Sequence, residues 1–104
     1  MSVYSDVVNS THEYEVLTGA GAVSVVKATT FLVTTAADAL TLANAQIGQQ
    51  KFITMATDGG DATLTPTSPI GFATIVFTAV GQWVILRYNG RGWEIKASYG
   101  VTIA

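Results

Sequence analysis

Residues 70–97 read IGFATIVFTAVGQWVILRYNGRGWEIKA, and this stretch decides the fold class. Three apolar runs, about Ala73–Ala79, Gln82–Tyr88 and Gly92–Ala97, are separated by Val80-Gly81 and by Asn89-Gly90-Arg91. Asn-Gly between apolar runs is a strong hairpin signal, because both residues tolerate the positive φ of a tight turn. The spacing predicts a three-stranded meander. Side chains alternate along a strand, so Trp83, Ile85 and Arg87 share one face and Val84, Leu86 and Tyr88 the other. Trp93, Ile95 and Ala97 form an apolar row opposite Glu94, Lys96 and Ser98, which gives the meander an inside and an outside.

Working outward, the remaining segments have the same character. Glu13–Leu17, Ala22–Val26 and Thr29–Thr35 read as strands, with a turn at Gly19-Ala20-Gly21. Ala36–Ile47 has some helix propensity, but Leu40 and Leu42 alternate with Thr41, so a strand at Ala39–Ala43 is preferred. Lys51–Ala56 and Ala62–Pro66 flank the turn Thr57-Asp58-Gly59-Gly60-Asp61, and Val101–Ile103 is a last short strand. No internal repeat is evident. Eight to ten short strands at spacings near ten residues predict an all-β, single-domain sandwich or barrel with mainly antiparallel pairing. The expected division is an N-terminal arm, residues 1–12, followed by the β-domain, residues 13–104.

Composition narrows the function. A chain of 104 residues with 49% hydrophobic residues has only 12% charged ones, about half the usual share. A small domain normally covers its large surface with charge, so a neutral exterior or burial against other chains is implied. The net charge of −2 offers no footprint for nucleic acid. The start MSVYSDVVNS has neither a basic beginning nor an apolar core, so no signal peptide is expected. Ile70–Tyr88 has no charge before Arg87, but Gly71, Thr74, Thr78 and Gly81-Gln82 break it, so two strands are expected there and no membrane span.

Catalytic chemistry finds little to work with. There is no cysteine, and His12 is the one histidine, which leaves a nucleophilic triad or an imidazole–thiolate metal site without its parts. A hydrolase using His12 and a carboxylate is the weakest alternative. Asp58-Gly59-Gly60-Asp61 offers two carboxylates to a hard cation but lacks a Ca²⁺-loop pattern, and Asp and Gly are ordinary turn residues. No metal, cofactor or catalytic residue is assigned. Tyr88, Trp93 and Tyr99 stand near the hairpin as a candidate sugar-stacking platform, against a core reading for the tryptophan. In the arm, Val3, Tyr4, Val7 and Val8 are candidate contacts for a partner.

The order of features then carries a resemblance. AVSVVKATTFLV (22–33), a Leu-Thr-Leu strand, Ile47-Gly48-Gln49-Gln50-Lys51-Phe52-Ile53, Asp58-Gly59-Gly60-Asp61-Ala62-Thr63-Leu64-Thr65-Pro66, Val80-Gly81 and Gly92-Trp93 follow one another. Over about residues 18–103 the chain resembles the small head decoration (capsid cement) proteins of tailed bacteriophages, with related modules in head and tail fibres. The resemblance implies a homotrimer on the outer capsid surface of the virion, made in the host bacterial cytoplasm. Its partners would be itself and the major capsid protein, with no direct contact to nucleic acid or membrane. It implies no catalytic residues; Gly48, Gln49, Asp58, Gly59, Gly60, Thr65, Pro66, Gly81, Gly92 and Trp93 would be fold-specifying positions. A fibre module binding a receptor or glycan is the alternative it leaves open.

Overall fold

The computed structural model describes residues 13–104. Ten strands follow in order: β1 (Tyr14–Thr18), β2 (Gly21–Val23), β3 (Thr29–Val33), β4 (Asp38–Leu42), β5 (Gln50–Thr57), β6 (Ala62–Pro66), β7 (Ile75–Phe77), β8 (Trp83–Tyr88), β9 (Trp93–Tyr99) and β10 (Thr102–Ile103). They form two five-stranded sheets, β1-β3-β5-β8-β9 and β10-β7-β6-β4-β2. The fold is all-β, as the alternation predicts. Ala36–Ile47 contains β4 and no helix, because Asp38, Leu40 and Leu42 are buried while Ala39 and Thr41 face out.

Up to β6 the chain alternates between the sheets, and like strands run parallel: β1, β3 and β5 in the first, β2, β4 and β6 in the second. Residues 14–66 therefore wind as a flattened coil. From β7 onward the ladders β6–β7, β5–β8, β8–β9 and β7–β10 are antiparallel. Parallel and antiparallel ladders are equally many, which corrects the expectation of mainly antiparallel strands. The expected meander is also divided. β7 pairs with β6 and β10 in the second sheet, and only β8 and β9 form a hairpin. Between β7 and β8 the chain crosses sheets: Gly81 N–H donates to Met55 C=O, and Gln82 Oε1 accepts from Thr78 N–H at 2.7 Å. No helix among the described residues is long and apolar enough to cross a membrane.

The coil's corners explain its turn residues. The β5–β6 corner, Asp58–Asp61, lies directly on the β3–β4 corner. A Cβ on Gly59 would strike the Thr34 carbonyl, and one on Gly60 the Ala36 carbonyl, so only glycine permits the approach. Thr34, 4% exposed, joins the corners: its hydroxyl accepts from Gly59 N–H at 2.8 Å and donates to Gly60 C=O at 2.7 Å. Asp58 Oδ1 accepts from Gly60 N–H at 3.1 Å, an Asx turn.

Between the sheets, Leu32, Ile53, Met55, Val84 and Leu86 of the first meet Leu40, Leu42, Leu64, Ile75 and Phe77 of the second, all essentially inaccessible. Full burial of such a side chain is worth about 1.5–3 kcal/mol. Trp93 closes one end of this core. Its ring stands edge-on to Tyr88 at 5.4 Å, and Nε1–H donates to Ala43 C=O at 2.9 Å. The hairpin turn before it is built on Asn89, whose Oδ1 accepts from Arg91 and Gly92 N–H. The expected row Trp93–Ile95–Ala97 breaks at Lys96. Ile95 pairs with Leu86 but Ala97 with Ile85, so a bulge at Lys96 moves Ala97 to the outer face.

Candidate functional site: the outer face of the first sheet

The residues offered as an aromatic platform do not assemble into one. Tyr88 and Trp93 lie in the core at 6% and 0% exposure, while Tyr99 is 63% exposed on the outer face of the first sheet. Tyr99 is joined there by Trp83, with ring centroids 6.5 Å apart and planes 23° from parallel. The arm positions Val3, Tyr4, Val7 and Val8, and His12, lie outside the described residues. Among the described residues no cluster of three or more His, Asp or Glu side chains is placed to hold a metal ion. No family model and no curated protein matches the chain.

What the fold does bring together is a wall of apolar side chains. Inward positions of β1, β3, β5 and β8 fill the core, so their neighbours of opposite parity point outward. Strand pairing sets those neighbours in rows. One row runs Tyr14–Thr29–Phe52–Ile85–Ala97 across all five strands, and the next runs Val16–Phe31–Thr54–Trp83–Tyr99. Neither row carries a charge. Tyr14 stands edge-on to Phe31 at 5.7 Å and Phe52 meets Trp83 at 5.9 Å. Tyr14 and Val16 on the edge strand remain 58% and 55% exposed. A shallow depression of about 240 Å³ touches Thr29, Phe52 and Ile85.

One end of the wall is polar, with Gln50, Arg87 and Glu94 aligned across β5, β8 and β9. Glu94 lies 3.0 Å from Lys96 Nζ. Hydrogen bonds from Lys96 and then Asn89 hold its carboxyl below the ordinary value. The second sheet presents a different exterior: Ala22, Thr41 and Thr65 form one outward row, and Ala39, Thr63, Val76 and Thr102 another. Small and hydroxylic side chains cover that side; aromatic ones cover the first.

Behind the wall sits one buried charge. Lys51 points inward from β5 with its side chain wholly inaccessible, donating from Nζ to Lys27 C=O at 2.7 Å, with Glu15 Oε2 3.9 Å away. The same Glu15 oxygen accepts from Thr30 Oγ1 at 2.6 Å and Ser24 N–H at 2.7 Å. Burial lowers the Lys51 ammonium from 10.5 to about 8, against an opposing pull from Glu15. The cluster ties β1, β3, β5 and the loop after β2 together, and its heads are all engaged.

Sequence reasoning found the inward faces but not the wall. The signal was present in β3, β5 and β8, which carry apolar residues at both parities: Phe31 beside Leu32, Phe52 beside Ile53, Trp83 and Ile85 beside Val84 and Leu86. Strands apolar on both faces call for cover on both faces.

Proposed function

We propose that this chain is a virion structural protein, a homotrimeric decoration protein that binds the outer surface of a bacteriophage head and stabilises the shell. The observation that carries the reading is the aromatic wall on one side of a two-sheet scaffold, uncharged in its two central rows, a surface suited to packing against protein. The ordered turn and strand motifs of residues 18–103, which resemble the decoration proteins, supply the biological context. Binding the assembled shell in preference to free subunits would stabilise that shell by mass action. The contact to the major capsid protein is assigned to the arm residues Val3, Tyr4, Val7 and Val8. The test is cosedimentation with heads stripped of accessory protein. Saturation at a fixed ratio, lost on deleting residues 1–12, is expected; a chain that ignores capsids would overturn the reading.

A further inference from the structure

We infer that the aromatic wall of the first sheet is covered by further copies of this chain, with three sheets closing as a triangular prism around a three-fold axis. The inference deepens the homotrimer reading above and rests on it, assigning the surface through which the copies meet.

Three observations favour a second copy over a foreign partner or a small ligand. The two central rows are uncharged, so identical walls meet without like-charge repulsion, and no charge calls for a complementary one. The wall spans five strands and the depression on it is shallow, unlike a ligand cleft. Its size also fits: five strands about 4.8 Å apart and four outward rows give on the order of 500 Å². Detaching one copy from the closed trimer would expose two of its three contacts, on the order of 1,000 Å², the lower bound for a specific interface.

Three-fold closure follows from the homotrimer reading, and the dimensions of the wall accommodate it. Sheets packed face to face lie about 10 Å apart, about 5 Å for each side's residues. Three walls about 24 Å wide leave about 7 Å from each wall's centre to the axis, and almost nothing at the corners. Three of the five outward aromatic side chains, Phe31, Phe52 and Trp83, stand on the three central strands β3, β5 and β8, and Tyr14 and Tyr99 stand on the edge strands. The edge strands carry Val16 and Ala97, and their tyrosines pack beside central rings, Tyr14 on Phe31 and Tyr99 on Trp83.

The test is the solution mass of the full chain and of variants at positions exposed in the protomer, where a substitution leaves the core untouched. The unmodified chain is expected at three times its monomer mass, and Val16→Glu and Tyr99→Glu at the monomer mass with an unchanged far-UV spectrum. Thr41→Glu, on the opposite sheet, should leave the trimer intact. Because the chain has no cysteine, V16C/Y99C gives a second readout. The two sites lie four strand spacings apart, about 19 Å, beyond the reach of a disulfide within one chain. Oxidation should produce a ladder ending at three chains. A trimer unaffected by Val16→Glu and Tyr99→Glu would overturn this interface and leave the homotrimer reading standing. A ladder ending at two would overturn the prism. A monomeric parent chain would overturn both.

Discussion

Lys51 gives the sharpest quantitative prediction. Its ammonium sits in the core with Lys27 C=O and Glu15 as partners, and its pKa falls from 10.5 to about 8. Between those values the unfolded chain binds a proton that the folded chain has released, so this group makes stability rise with pH. The penalty on the charged form is fully present below about pH 8 and is relieved as pH climbs towards the unfolded value. Each pK unit is worth about 1.4 kcal/mol, so the total is about 3 kcal/mol, of which roughly 2.5 kcal/mol falls between pH 7 and 10. Lys51→Met keeps the length and removes the charge. Urea unfolding of both proteins, at one protein concentration and several pH values, isolates the effect because the other titrations cancel in the difference. The parent should gain about 2.5 kcal/mol on the variant between pH 7 and 10. A difference that stays flat, or a parent that loses ground as pH rises, would refute the reasoning.

Gly59→Ala or Gly60→Ala should each cost at least about 2 kcal/mol, since the new methyl meets a backbone carbonyl that cannot move aside; a thermal midpoint within a degree of the parent's would contradict the stacked corners. Trp93→Phe removes the donor to Ala43 C=O and part of a buried ring. It should cost about 2–3 kcal/mol in chemical unfolding, combining a lost hydrogen bond with a small cavity.

How far the fold was legible depends on which interactions wrote it. Alternation in residues 83–88 put Val84, Leu86 and Tyr88 on one side, and the core holds all three, because a half-buried strand carries its own period. Asn89-Gly90 marked its turn because the turn is chemically local: Asn89 bonds residues two and three positions ahead. The crossing between sheets is not local. A strand whose next strand lies in the other sheet reads the same as one in a hairpin, so β7 gave no sign of joining β6 and β10. Nor did the bulge at Lys96, which depends on where Leu86 and Ile85 find their partners across the ladder.

The glycines of Asp58–Asp61 and the rows of the outer wall show where function becomes readable. Asp-Gly-Gly-Asp looked like a turn with two spare carboxylates. In the fold its glycines answer to Thr34 and Ala36, more than twenty residues earlier; what the motif specifies is the stacking of one coil corner on another. The wall has the opposite logic. Core packing already accounts for one parity of β3, β5 and β8, and nothing among the described residues accounts for Phe31, Phe52, Trp83 and Ile85 on the other. Had stability of the single chain been the only demand, threonine or lysine would serve at those outward positions, as threonine does at Thr41, Thr63 and Thr65 on the second sheet. The contrast between two sheets in one small domain separates the residues that build the protomer from those that await another surface.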